Sequence, residues 1–193
     1  QMVAKGHDLP NVTLVGVINA DAALSLPDFR AAERGFHLLV QVSGRAGRQD
    51  RKGRVLIQTR APEHAALRFA SQHDVNGFIG QELKDRREVG YPPFTRLGLV
   101  RIDAIDEEVA RRVAAQVAAQ VRASAEARAG KVDVLGPAAA PIARLRGRVR
   151  FRVLLRALER GPLRRALGLA AEVRDQTREN VRIVIDVDPV TML

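Results

Sequence analysis

The stretch from Gln41 to Arg48 (QVSGRAGR) sets two arginines three residues apart in a glycine-bearing loop after a helical run. Glycine lets a backbone approach a neighbouring surface closely. Guanidinium groups on a preorganised loop suit the phosphates of a nucleotide, where they stabilise charge that develops during hydrolysis. The plainer reading of these residues alone is a basic turn without a ligand. A second set, Arg144, Arg146, Arg148, Arg150 and Arg152, alternates with Leu145, Gly147, Val149, Phe151 and Val153. In an extended chain a period of two sends all five guanidiniums to one face and the apolar set to the core. Five like charges on one ladder are costly unless a polyanion or solvent spreads them. Phosphate contact is therefore the expectation, and a solvated or charge-protected edge the alternative.

Composition narrows the partners. The 193 residues carry 32 Lys and Arg against 22 Asp and Glu, a net charge of +10, which points to a polyanion, nucleic acid before acidic peptide. The charge is uneven. Residues 91–193 hold nineteen basic against twelve acidic side chains, and residues 144–165 hold nine Arg against the single acid Glu159. Aromatic residues make up 4%, with no Trp, so stacking of bases on an aromatic platform is not expected. Cysteine is absent, which excludes disulfides, thiolate zinc sites and a cysteine nucleophile, and fits a reducing compartment. His7, His37, His64 and His73 show no metal-ligand spacing, so no metal site is expected in the chain. No apolar run approaches the roughly 18 residues of a membrane span. A cytoplasmic protein without membrane contact is the expectation.

Several elements must position these residues. Val12 to Ile18 (VTLVGVI) reads as a strand buried on both faces, and Gly53 to Thr59 as a second strand. Between them a helix runs from about Phe29 to Val42, capped by Asp28 and broken by Gly44 and Gly47. This is a crossover unit of a parallel sheet, with its remaining strands expected upstream. Helices follow from Pro62 to about His73 and from Val75 to about Glu88, and Gly90-Tyr91-Pro92-Pro93 ends the run. Beyond it come a strand (Arg96–Ile102), a helix capped near Asp106 with Val109, Val113, Val117 and Val121 in one stripe, and strands Val132–Leu135 and Val149–Leu155. A helix opening around Pro162 and a strand Val181–Val187 complete the order β-α-β-β-α-β, the split pattern of a ferredoxin-like domain.

QVSGRAGR resembles motif VI of superfamily-two helicases, and Gln1 to Val15 (QMVAKGHDLPNVTLV) resembles their motif V. Leu26 to Arg34 (LPDFRAAER) is similar to a signature of the primosomal protein N-prime (PriA) family of replication-restart helicases. Gln58-Thr59 with Pro62-Glu63-His64, Tyr91-Pro92-Pro93-Phe94, Leu135-Gly136-Pro137, Arg144 to Arg148 (RLRGR) and Asp186-Val187-Asp188-Pro189 follow in the family's order. The resemblance covers essentially the whole chain. It departs at Asn19, where Asp is expected, and at Leu9, where Phe is expected.

The resemblance implies the C-terminal part of an ATP-dependent 3′-to-5′ DNA helicase that acts in replication restart and primosome assembly at stalled forks. Residues 1–62 would end the second RecA-like helicase domain, residues 63–93 would form a helical connector, and residues 94–193 a DNA- and partner-binding domain. Arg45 and Arg48 would face the ATP phosphates as catalytic residues. Gln41, Gly44, Asp8 and Gly6 would be nucleotide-binding, and Lys5 would contact DNA with the five arginines of the ladder. The phosphate loop with its Lys, the acidic Mg-binding motif and the family's zinc-binding cysteines are missing from this sequence and lie upstream in the family. ATP and Mg would be completed by that upstream part, and zinc belongs to the full-length family only. Implied partners are forked and single-stranded DNA, primosome proteins and the acidic, apolar-ended tail of the single-stranded-DNA-binding protein. Arg160, Arg164 and Arg165 are placed to hold such a tail, with Leu163 or Phe151 lining a notch. A non-motor protein that binds forks and partners, with a degenerate ATP site, is the alternative.

Overall fold

The computed structural model describes residues 12–44 and 53–192. The chain falls into two compact units, divided between Asp85 and Arg86.

In the first unit, β1 (Leu14–Val17) and β2 (Arg54–Ile57) pair in parallel, Leu14 opposite Arg54 and Val17 opposite Ile57. A short helix α1 (Asp21–Leu24) follows β1, and α2 (Ala31–Ser43) makes the crossover between the strands. Then come α3 (Ala65–Ser71) and α4 (Val75–Val89), whose residues from Arg86 on belong to the second unit. Phe36 and Leu39 of α2 meet Ala66, Leu67 and Ala70 of α3 and Phe78 of α4 in one buried cluster. The Phe36 and Phe78 rings stack with centroids 4.0 Å apart. Val17 and Ile57 pack against this cluster, whereas Leu14 and Leu56 are more than half exposed. The expectation of a strand buried on both faces is therefore corrected. The two strands bury alternate residues, because the helical cluster lies against one side only.

Two starts also differ from expectation. Asp28 does not cap α2 directly. Its buried carboxylate accepts from the Arg30 amide and from the Arg34 guanidinium, fixing the turn that leads into the helix. Helix α3 starts at Ala65 rather than Pro62, because His64 takes the cap position and its Nδ1 accepts from the Ala66 amide.

The second unit is a four-stranded antiparallel sheet under two helices. Its elements are β3 (Arg96–Ala104), α5 (Glu107–Arg122), α6 (Ala125–Arg128), β4 (Val132–Leu145), β5 (Arg148–Ala157), α7 (Arg160–Gln176) and β6 (Val181–Val187), in the sheet order β4-β5-β3-β6. Asp106 caps α5, accepting from the amides of Glu108 and Val109. Both α5 and α7 cover one sheet face. Val113, Val117 and Val121 of α5 and Leu163, Ala166, Ala170 and Val173 of α7 close over Val100, Ile102, Val153 and Leu155. Each valine, leucine or isoleucine among them stabilises the fold by roughly 1.5–3 kcal/mol on full burial. Among the described residues no helix is long and apolar enough to cross a membrane.

Strand β4 is ten residues longer than the four-residue strand expected, since Val132–Leu145 holds 14 residues. It survives Gly136-Pro137 through a bulge: Leu135 pairs with Leu154 and Ala138 with Arg152, one residue out of step. Gly136 has φ +96°, and a Cβ there would stand 2.9 Å from the Arg152 carbonyl oxygen. Both features demand glycine. Gly136→Ala is expected to lower stability by about 1–3 kcal/mol. Urea unfolding measures this, and an unchanged midpoint would show that the bulge absorbs the side chain.

Candidate nucleic-acid interface

The arginine ladder is not one strand. Arg146 (φ 50°) and Gly147 (φ 76°) both take left-handed backbone and reverse the chain in a two-residue turn, flanked by the Leu145–Arg148 pair. Arg144 therefore lies on β4, Arg146 on the turn, and Arg148, Arg150 and Arg152 on β5. The alternation was real, but a glycine able to adopt positive φ ends an extended run as readily as it continues one. The hairpin tip is open: the Arg144 side chain is two-thirds exposed, 3.7 Å from Glu107, and Arg146 and Leu145 are exposed.

On β5 the three arginines share the sheet face away from the helices, and each has an internal contact. Arg148 Nη2 donates to the Asp103 carbonyl at 2.8 Å and the Asn180 carbonyl at 3.4 Å. Arg150 lies 3.5 Å from Asp103 Oδ1. Arg152 donates to the Met192 carbonyl at 3.3 Å, tying the C-terminal segment to this face. Register adds three cations that the sequence reading did not select. Arg101 stands directly opposite Arg152, Arg182 is opposite Asp103, and Arg156 reaches Asp133 at 2.9 Å and the Val89 carbonyl at 2.7 Å. The signal for Arg101 and Arg182 was strand alternation in β3 and β6, usable only once the sheet order is known.

Arg160, Arg164 and Arg165 open α7, whose N-terminus has no side-chain cap and no acidic residue in its first turn. Arg165 is already engaged by Glu126 at 2.6 Å, a contact that holds the Glu126 carboxyl below its usual range. Leu163 does not line a notch; it is buried in the core, since it falls on the sheet-facing side of the helix. A concavity of about 430 Å³ lies nearby but is lined by other residues, among them Arg87, Lys131, Arg156, Leu158 and Pro162.

In the first unit Lys5, Gly6, Asp8, Arg45 and Arg48 lie outside the described residues. Gln41 is exposed on the last turn of α2, and Gly44 caps that helix in ordinary right-handed geometry, donating to the Val40 carbonyl. The ends of β1 and β2 are clamped together. Asp21 accepts from the Thr59 hydroxyl at 2.6 Å and from the Arg60 amide at 2.9 Å, and these bonds hold its carboxyl below the usual range. Asn19, at φ 53°, donates its amide to the Gln58 side chain, and these residues edge a pocket of about 370 Å³. Zinc does not fit the residues present. The sequence has no cysteine, and among the described residues no group of three His, Asp or Glu side chains converges on a metal position.

The second unit is thus a helix-backed antiparallel sheet with a cation-rich face and a basic hairpin. Residues 87–190, nearly the whole second unit, match the model of the primosomal protein N C-terminal domain, and the chain belongs to that family. Curated relatives agree. The replication restart protein PriA of Bacillus subtilis is 52% identical over 111 residues, 58% of this chain and 14% of that protein. Its counterpart in Synechocystis is 41% identical over 140 residues, 72% of this chain and 16% of that protein. The one in Haemophilus influenzae is 37% identical over 189 residues, 98% of this chain and 26% of that protein. The chain thus spans about a quarter or less of the length of these relatives.

Proposed function

We propose that this chain is the C-terminal part of a replication-restart DNA helicase, and that its second unit holds forked and single-stranded DNA through phosphate contacts. The observation that carries the reading is the concentration of guanidiniums on the β4–β5 hairpin and the helix-free face of the sheet. The names of the relatives support a role in restart. In this reading the second unit is a ferredoxin-like domain and the parallel pair β1–β2 with its crossover α2 is the end of a RecA-like domain. Contacts to backbone phosphate position DNA without reading its sequence, which suits a protein that must act wherever a fork has stalled.

The hairpin arginines are the first point of contact. Changing Arg144, Arg146 and Arg148 together to Ala is expected to weaken forked-DNA binding equally across sequences. The salt slope should fall by roughly two to three units, about one per released counterion. Anisotropy titrations over a range of salt measure it. An unchanged slope would assign these arginines to a solvated face.

The same reading makes Arg45 and Arg48 the pair that faces ATP phosphates, beside Gln41 and Gly44, with Lys5, Gly6 and Asp8 linking nucleotide to DNA. ATP and Mg would be held jointly with the upstream part of a longer protein in the cytoplasm. Arg160 and Arg164 would receive the acidic tail of the single-stranded-DNA-binding protein, Arg165 exchanging Glu126 for it, and primosome proteins would join the assembly. In the longer protein, Arg45→Ala or Arg48→Ala is expected to lower ATP turnover on the order of 10²-fold or more while DNA affinity is kept. Normal turnover in both variants would favour the non-motor, fork-binding alternative.

A further inference from the structure

Arg150 is the one arginine of the hairpin that is buried, its side chain 10% exposed. A guanidinium carries five N–H donors, and withdrawing it from water is costly unless they are satisfied. Its partner among the described residues is Asp103 Oδ1 at 3.5 Å, well beyond the 2.7–2.9 Å of a charge-assisted hydrogen bond. Asp103 Oδ1 is itself buried without a hydrogen bond, and so is Arg148 Nε. Two buried polar atoms without a hydrogen bond, Asp103 Oδ1 and Arg148 Nε, therefore meet beside the long Arg150–Asp103 pair.

The surroundings are cationic. Register puts Arg150, Asp103 and Arg182 in one row across three strands, and Arg152 and Arg101 in the next row. Arg182 is exposed, and its guanidinium makes no hydrogen bond or ion pair among the described residues. Like charges directly opposite destabilise a sheet unless a counter-charge joins them. Within the row, Arg150 and Arg182 stand on either side of the Asp103 carboxylate. Strand β4 also leaves this position alone: Ala139 pairs with Phe151 and Arg144 with Val149, so its bulge passes Arg150 without pairing to it. Bulges of this kind re-aim or end pairing where another group must approach.

We propose that the Arg150–Asp103–Arg182 row, with Arg148 beside it, is the seat for a phosphodiester group of the DNA backbone. Arg150 is its anchor, and Asp103 is the internal anion that holds the seat until a phosphate competes for it. This rests on the DNA-binding reading above and adds to it a specific site with a built-in competitor. DNA is the occupant because the seat continues into the hairpin arginines, forming a track longer than one small anion requires. The face holds no aromatic for stacking, since Phe151 points to the helices and lies under Arg111.

The test uses the whole chain and a labelled fork, with affinity read by anisotropy at several salt concentrations. Asp103→Asn, which removes the competing charge and keeps the shape, is expected to tighten fork binding about fivefold. Arg150→Ala is expected to weaken it about tenfold and lower the salt slope by about one. Arg174→Ala, the same charge loss on α7 of the same unit, should change neither by a comparable amount. Thermal unfolding of each variant reports folding, and the Asp103→Asn gain stands as evidence even where Arg150→Ala folds poorly. Unchanged or weaker binding by folded Asp103→Asn would overturn the seat and leave Arg150–Asp103 as a structural ion pair. If that occurs while the hairpin arginines still set the salt slope, the seat alone fails. If the unsubstituted chain shows no salt-dependent fork binding, the DNA reading fails with it.

Discussion

Everything proposed for the second unit depends on both of its helices packing against one face of the sheet. The apolar stripes of α5 and α7 must be buried, and β-α-β-β-α-β connections bring both to the same side. Strand alternation then decides the rest. Val149, Phe151, Val153 and Leu155 turn toward the helices, so Arg148, Arg150 and Arg152 turn away from them together with Arg101, Asp103 and Arg182. A change that moved β5 by one residue would bury the arginines in the core and expose the valines. The sheet register is thus also the address of the cations.

That face is graded along its length. At one end Leu97, Leu99 and Leu154 are buried, so the sheet there serves packing. At the other, Arg148, Arg150 and Arg182 gather round Asp103, the carboxylate in the row. Exposed pairs elsewhere, such as Arg112 with Glu179 and Arg111 with Glu107, show ordinary neutralisation and contribute little to stability. The contrast separates arginines that decorate a helix from arginines held in an array. An array of fixed positive charge costs folding stability and returns it when a polyanion binds.

Helices and strands were legible where periodicity was strong. Val113, Val117 and Val121 of the α5 stripe, its Asp106 cap and the limits of β6 are found as the pattern predicts, while Val109 is only half-buried outside the core. What the sequence hid was local backbone choice and long-range register. RLRGRVRFRV reads as one strand by alternation, but left-handed backbone at Arg146-Gly147 makes it two. His64 as a helix cap and Asp28 as the anchor of a turn depend on side-chain placement that no spacing rule reveals. The roles of Arg101 and Arg182 emerge only when β3 is known to lie between β5 and β6.

Amide hydrogen exchange of the whole chain, with and without a saturating forked DNA, addresses the central claim most directly. The account predicts added protection in the β4–β5 hairpin from Arg144 to Arg152 and in β6 around Arg182, with α5 and the outer face of α7 unchanged. Protection concentrated on the helices, with the hairpin and β6 unaffected, would contradict it.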